Sequence, residues 1–146
     1  MAAELEGLAD EIRAIVSGGE KFLSALDEDT VTRPRNGQGR TIKQLVGHMV
    51  DSASNNHQRM VRLQYNKHLV FPDYTSRNDL WIALQDYQHA DWEELVQLWK
   101  YLTLHIARVI GAADESSLNN YWGDEDGNCV TLKDMAEGFV WHLRLH

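Results

Sequence analysis

Apolar residues recur at three- and four-residue steps along four long segments of the chain. This spacing places them on one face of an α-helix, because an α-helix completes a turn about every 3.6 residues. The pattern predicts a helix over 3–26, a second from 41 to about 65, a third over 92–110 and a fourth from 131 onward. A shorter helix is predicted over 79–87.

Residue pairs typical of helix N-termini support three of these starts, because their side chains can satisfy the first backbone N–H groups. The pairs are Thr41 with Gln44, Asp91 with Glu94, and Thr131 with Asp134. Gly111 is predicted to end the third helix. Gly18 and Gly19 interrupt the first helix and indicate either a kink or a close contact between helices.

Segments between the helices are rich in the glycine, proline, asparagine and aspartate of turns. The segment 112–130 contains an acidic run over 124–128 and is predicted to be a solvated turn, with a small hairpin as a further possibility. These connections are longer than a tight up-and-down bundle needs. The sequence therefore predicts an all-α fold, a four-helix bundle with long connections, forming one domain over 1–146.

Composition narrows the function classes. The net charge of −8 argues against nucleic-acid binding, which needs a basic surface. No apolar run approaches the roughly 20 residues that span a bilayer, so no membrane association is expected. The single cysteine, Cys129, cannot form an intrachain disulfide, and the N-terminus lacks the pattern of a signal peptide. A cytoplasmic protein is expected.

Two histidines near the C-terminus, His142 and His146, are the strongest chemical signal in the sequence. Residues four apart lie on one face of a helix, so both imidazoles can reach one metal ion. They flank the apolar stripe of the fourth helix, where a polar nitrogen without a partner would be costly. The pair therefore predicts a metal site, although histidine pairs at this spacing also occur by chance.

A catalytic site of the zinc type uses three protein ligands and leaves one position open. We select His48 as the third ligand, because it lies beside the apolar stripe of the second helix. His57 and His105 also lie near apolar stripes and compete with it. Asp51 follows His48 by three residues and is the candidate to orient that histidine or to act as a catalytic base.

Arg59 lies on the same flank of the second helix as His48. We expect it to form a surface salt bridge, with steering of an anionic group as the alternative. Cys129 has no basic neighbour in sequence and is a poor candidate nucleophile. Motifs of phosphate-binding loops and of serine hydrolases do not occur in the sequence.

The sequence resembles the DinB-like family of metalloenzymes. Residues 41–52 (TIKQLVGHMVDS) are similar to the second-helix motif of that family, and residues 139–146 (FVWHLRLH) to its fourth helix. The resemblance implies a four-helix bundle, often dimeric, in which three histidines bind a divalent metal. Carried over by position, those ligands are His48, His142 and His146.

The resemblance also implies a function, since relatives include thiol-dependent transferases and a maleylpyruvate isomerase. We expect a metal-dependent enzyme, first a transferase that joins a low-molecular-weight thiol to a small-molecule substrate, using Zn²⁺, Ni²⁺ or Fe²⁺. A metal-dependent hydrolase and a non-catalytic, stress-related binding bundle are the alternatives. A homodimer is expected. Because a ligand at a helix terminus is poorly held, we also expect the native helix to continue past His146 or to be covered by a partner subunit.

Overall fold

Helices make up most of the computed structural model of the protein, which describes residues 3–34, 39–123 and 129–145. The helices are α1 (Ala3–Ser24), α2 (Glu28–Thr32), α3 (Ile42–Leu63), α4 (Asn78–Leu84), α5 (Trp92–Ala112) and α6 (Leu132–Leu145). The strands are β1 (His68–Val70), β2 (Tyr121–Gly123) and β3 (Cys129–Thr131). Single 3₁₀ turns lie over Thr75–Arg77, Tyr87–His89 and Glu115–Ser117. The predicted four-helix bundle is confirmed by α1, α3, α5 and α6.

The helix α5 packs against both α1 and α3. Trp92, at the start of α5, donates its indole N–H to the carbonyl of Leu23, at the end of α1, over 3.0 Å. These two helices are therefore antiparallel. Lys43, at the start of α3, donates to the carbonyl of Ala90, just before α5, over 2.7 Å. Because α3 and α5 begin side by side, they run parallel.

The last helix, α6, packs against α1 and α3. Lys133 and Glu4 approach to 3.5 Å, so α6 begins beside the start of α1 and runs parallel to it. The parallel helices α3 and α5 must then be joined by a long crossover, residues 64–91, which contains β1 and α4. This crossover lies beside the candidate site.

The predicted helix starts are confirmed. Each cap side chain accepts a hydrogen bond from the backbone N–H three residues later. At the start of α3, the side-chain oxygen of Gln44 also accepts from the backbone N–H of Thr41. The cap-and-donor pairs are Thr41 with Gln44, Asp91 with Glu94, and Thr131 with Asp134. Local side-chain chemistry therefore sets where these helices begin.

Glycines in the helices mark close packing. Gly111 was predicted to end the third helix, and this is wrong, because α5 continues to Ala112. A Cβ at Gly111 would lie 3.4 Å from the Cβ of Ala9 on α1. A Cβ at Gly19 would lie 2.8 Å from the indole of Trp99. Both glycines allow α1 and α5 to approach closely.

Three short strands from the segments that connect the helices form a small sheet, with the strand order β1-β2-β3. The strands β2 and β3 are antiparallel, which confirms the predicted small hairpin, while the run 124–128 lies outside the described residues. The parallel strand β1 was not predicted, nor was the short helix α2. Strands of three residues carry almost no periodic signal, and their pairing joins distant parts of the chain.

The apolar faces of the long helices form one hydrophobic core. Its most deeply buried large side chains are Leu5, Ile12, Met60, Leu63, Ile106 and Ile110. Among the helices that the structure describes, none is both long enough and apolar enough to cross a membrane.

Candidate functional site

Two of the three predicted metal ligands lie side by side. His48 on α3 is buried, with 6% of its surface exposed, and its ring centre lies 5.7 Å from that of His142 on α6. The two ring planes are inclined by 78°. The contact follows from the antiparallel packing of α3 and α6, which brings an early residue of one helix to a late residue of the other.

The spacing of these rings suits a shared metal ion. Two imidazoles that bind one tetrahedral metal at about 2 Å place their ring centres roughly 5 Å apart. The observed distance of 5.7 Å is close to that value, and a small rotation of either side chain can remove the difference. Imidazole nitrogens are ligands that Zn²⁺, Ni²⁺ and Fe²⁺ all accept. The donor chemistry of His48 and His142 therefore fits a divalent metal.

The third predicted ligand, His146, lies outside the described residues. Within residues 3–34, 39–123 and 129–145, no group of three or more histidine, cysteine, aspartate or glutamate side chains is arranged to hold a metal. Because α6 remains helical to Leu145, the backbone register continues to the residue just before His146. The three-histidine set stays a prediction.

A cavity of about 300 Å³ opens beside the two histidines. From α3 it is lined by residues that recur on one helix face: His48, Ser52, Asn56 and Arg59. From α6 it is lined by Asp134, Met135, Gly138, Phe139 and His142. The crossover and the sheet supply Tyr74, Thr75, Asn78, Trp122 and Val130. Its volume is at the lower end of the range for small-molecule sites.

Arg59 lies at the opposite end of this helix face from His48 and is also buried, at 6% exposure. Its guanidinium carbon lies 4.4 Å from the centre of the Trp122 ring, an arrangement that favours cation–π attraction. Its Nη2 is 3.4 Å from both the carbonyl of Pro72 and Oδ1 of Asp73. Burial lowers the pKa of Arg59, and the nearby Asp73 opposes that shift. The predicted salt bridge is present, with Asp73, but its surface location is wrong, because the crossover and β2 cover this arginine.

Asp51 is fully buried on a different face of α3. Its Oδ1 accepts hydrogen bonds from the hydroxyl of Tyr87 at 2.6 Å and from the side-chain amide of Gln85 at 2.7 Å. Burial raises the pKa of Asp51, and these two hydrogen bonds partly offset the shift. Tyr87 also packs on Gly47, so this tyrosine contacts α3 at the residue that precedes His48. The catalytic role of Asp51 stays a prediction.

The competing histidines form a second pair. His57 on α3 and His105 on α5 have ring centres 5.1 Å apart and are inclined by 68°. Burial lowers the pKa of His57, and the neighbouring His105 lowers it further. His105 is exposed, so this pair lies at the outer surface of the α3–α5 interface and does not line the cavity with His48.

Several cavity residues were missed by sequence reasoning because they lie outside the periodic helices. Tyr74, Asn78 and Trp122 belong to the crossover and the sheet. Trp122 donates its indole N–H to the carbonyl of Phe71 at 2.7 Å and so joins the sheet to the crossover. A large aromatic residue within a polar connection is the signal that could have identified Trp122.

Comparison with solved structures shows the same fold in two proteins. One is YfiT from Bacillus subtilis, described as a probable metal-dependent hydrolase with an unusual four-helix bundle topology. It matches with a TM-score of 0.84 and 17% identity over 99% of this chain and 82% of YfiT. The other is the mycothiol-dependent maleylpyruvate isomerase, with a TM-score of 0.78 and 16% identity over 97% of this chain. The chain spans 58% of the length of that isomerase.

Sequence comparison adds the family. No curated protein matches the chain in sequence. The sequence profile of the DinB superfamily, however, matches residues 19–146, which include α3, α5, α6 and both facing histidines. The chain therefore belongs to the DinB superfamily.

Proposed function

We propose that this protein is a metal-dependent enzyme in which His48, His142 and His146 hold one divalent metal, Zn²⁺, Ni²⁺ or Fe²⁺. Its reaction is the transfer of a small thiol to an electrophilic substrate. The observation that carries the proposal is the ring-to-ring contact of His48 and His142 beside a cavity of about 300 Å³. A structural metal would instead be enclosed by four protein ligands.

A divalent metal bound by imidazoles lowers the pKa of a thiol or water molecule that it binds, so that the deprotonated form exists near neutral pH. The chain's own residues hold and shield the reactants. His48 and His142 would fix the position of the reacting sulfur, and Phe139 and Met135 supply apolar walls that limit access of water. In the reaction, a sulfur–carbon bond forms, the leaving group takes its bonding electron pair, and the thiol proton passes to solvent.

Hydrolysis is the second candidate, because the same site could activate water. YfiT, whose fold covers 99% of this chain, is described as a probable metal-dependent hydrolase, whereas the isomerase is described as mycothiol-dependent. Both relatives share less than a fifth of their residues with this chain, so they suggest the reaction class without identifying the substrate. Asp51 remains the candidate base for either reaction.

Metal content tests the proposal first. Protein prepared without chelator or nickel resin should contain close to one divalent metal per chain, measured by elemental analysis. His48→Ala, His142→Ala and His146→Ala should each lower that content at least about tenfold, because each removes a ligand. His57→Ala is the matched control, since His57 also lies on α3 but pairs with His105. Wild-type protein with less than about a tenth of a metal per chain would contradict the proposal.

Activity separates the two reaction classes. Metal-loaded protein would be assayed with a panel of thiols and a generic haloalkane, and in parallel with a generic ester in the absence of thiol. The transferase proposal expects a rate above background only when a thiol is present, and His142→Ala should abolish it. Ester hydrolysis without any thiol-dependent rate would favour the hydrolase.

The proposal includes a homodimer in a reducing, cytoplasmic compartment. Two exposed apolar side chains, Leu98 and Tyr101, lie three residues apart on the same face of α5 and offer a surface for a second copy. Light scattering during size-exclusion chromatography would give the mass in solution. A mass of one chain at micromolar concentration would contradict the dimer.

A further inference from the structure

Arg59 holds a buried charge with few good hydrogen bonds. Among the described residues it makes two hydrogen bonds, to Pro72 and Asp73, and both are 3.4 Å long, beyond the usual range of about 2.7–3.2 Å. Within the described part of the chain, its buried Nε has no hydrogen-bond partner. A buried guanidinium with unused donors is costly, because it has lost hydration without full compensation. The site therefore favours an anion that accepts from this arginine.

Asp73 does not fill this role well. Its Oδ1 also accepts from the backbone N–H of Thr75 at 3.1 Å, and its Oδ2 accepts from the Thr75 hydroxyl at 2.8 Å. The aspartate is therefore bound into its own turn and reaches Arg59 only at 3.4 Å. Asp134, the acidic residue in the cavity lining, is exposed to solvent at the start of α6.

The position of Arg59 relates it to the histidines. It follows His48 by eleven residues, about three helical turns, so both side chains lie on the face of α3 that lines the cavity. The helical rise over eleven residues is about 16 Å, and the arginine side chain, which is the longer of the two, spans part of that distance. A molecule could thus contact both ends of the cavity at once.

A second polar group lies in the same lining. Asn78, at the start of α4, has a buried side-chain oxygen that lacks a hydrogen-bond partner among the described residues. Together, Arg59 and Asn78 leave both a donor and an acceptor unsatisfied in the cavity. An apolar occupant would leave both groups unsatisfied. A carboxylate could accept from Arg59, whereas the Asn78 oxygen needs a donor group elsewhere on the same molecule.

We propose that Arg59 binds the carboxylate of the molecule that reacts beside His48 and His142, which makes it a specificity-determining residue for elongated, monoanionic substrates. This inference rests on the proposed function in one respect: that the other end of the molecule reacts beside His48 and His142. The planar fork of arginine suits a carboxylate, and the stacked Trp122 ring holds that fork in place. The carboxylate belongs either to the thiol or to its electrophilic partner.

Binding to metal-free protein tests this inference separately from catalysis. Chelator-treated protein would be titrated with mercaptohexanoate and with mercaptohexanol, and affinity would be measured by calorimetry and ligand-observed NMR. We expect wild-type protein to bind the carboxylate at least about tenfold more tightly than the alcohol, since a charge-assisted pair in a buried site is strong. Equal affinity for the two probes would overturn the inference.

Three variants assign the effect to Arg59. Arg59→Gln should remove the preference for the carboxylate, and Arg59→Lys should retain part of it, because lysine keeps the charge without the fork. Arg62→Gln is the matched control: Arg62 lies on the same helix and over an aromatic ring, Phe71, but is exposed. Loss of the preference in Arg62→Gln, or its full persistence in Arg59→Gln, would overturn the inference. Circular dichroism and melting temperature would verify that each variant is folded. If Arg59→Gln unfolds, the partial loss of carboxylate preference in Arg59→Lys tests the inference instead.

Paired substrates identify which reactant carries the carboxylate. Metal-loaded protein would be assayed with mercaptohexanoate or mercaptohexanol against bromohexanol, and with mercaptohexanol against bromohexanoate or bromohexanol. An Arg59-dependent preference in the first pair assigns the carboxylate to the thiol, and in the second pair to the electrophile. If chelator-treated protein prefers the carboxylate but untreated protein contains no metal, the proposed enzyme is refuted and the anion site stands. If untreated protein contains normal metal but shows no carboxylate preference, the anion site is refuted and the proposed enzyme stands.

Discussion

The two sides of this bundle are built differently. On the closed side, defined here as the α1–α5 interface and the contact of Tyr87 with α3, glycines allow neighbouring elements to approach so closely that an added Cβ would meet the facing residue. On the open side, the cavity between α3 and α6, the facing side chains leave about 300 Å³ unfilled. The closed side also carries an ion pair of 2.8 Å between Glu20 and Lys100. Both side chains are partly exposed, so neither charge pays the full cost of burial.

This difference shows how the fold can accommodate a functional site. Buried polar groups such as His48 and Arg59 contribute less to stability than apolar packing would, and unsatisfied ones oppose folding. The stabilising contacts must therefore come mainly from elsewhere. Changes on the closed side should lower the free energy of unfolding, while changes on the open side should alter metal or anion binding with smaller effects on stability.

The largest stability effect is expected for Gly47→Ala. A Cβ at this position would fall within the ring of Tyr87, which is itself buried and hydrogen-bonded to Asp51. The tyrosine has little freedom to move, so we expect a loss of about 2–3 kcal/mol in the free energy of unfolding, measured by urea denaturation. Gly7→Ala is the control, since a Cβ there meets nothing within 4 Å. An unchanged urea midpoint for Gly47→Ala would contradict the tight closed side.

Asp51→Asn should have a smaller, pH-dependent effect. Burial raises the pKa of Asp51 above its ordinary value of 3.8. The folded state therefore binds the proton more tightly than the unfolded state, and this residue's contribution to stability is lost as pH rises from about 4 through the raised pKa. Asparagine does not titrate, so the stability of the variant relative to wild type should improve as the pH rises above about 4.

Urea denaturation at several pH values gives that comparison, and elemental analysis of the same samples separates two roles for Asp51. Its hydrogen bonds to Tyr87 and Gln85 lead us to expect near-normal metal content in Asp51→Asn. A large fall in metal content, with the pH dependence of stability unchanged, would instead support the role in orienting His48 predicted from sequence.

The smallest effects are expected for two adjacent glycines of α1, and they should have opposite signs. Gly18→Ala adds a Cβ into open space and should stabilise the protein by about 0.5–1 kcal/mol, because alanine favours the helix. Gly19→Ala would bring a Cβ to 2.8 Å from the buried Trp99 ring, and should destabilise it by about 1 kcal/mol. Thermal unfolding of both variants tests this, and equal shifts would show that α1 and α5 are not closely packed at Gly19.

Much of the helical framework could be predicted from the sequence, because its signals are local. Apolar periodicity located α1, α3, α5 and α6, and cap pairs such as Thr41 with Gln44 located the starts of the last three. The wrong prediction for Gly111 has a clear cause. A glycine that ends a helix and one that admits a neighbouring helix look the same in one sequence, and only the contact with Ala9 distinguishes them.

The candidate site divides in the same way. The helical positions of His48 and His142 followed from sequence, since helix periodicity places each residue on a face. Helix spacing and the family resemblance both selected them as metal ligands. Only the tertiary structure decided that Arg59 is buried with Trp122, because the covering segments lie more than ten residues away in the chain and carry no periodic pattern. The sequence by itself determined which faces the helices present. The packing of those faces, together with the crossover folded over α3, determined which polar groups share a cavity, because long-range contacts depend on chain topology and not on local propensity.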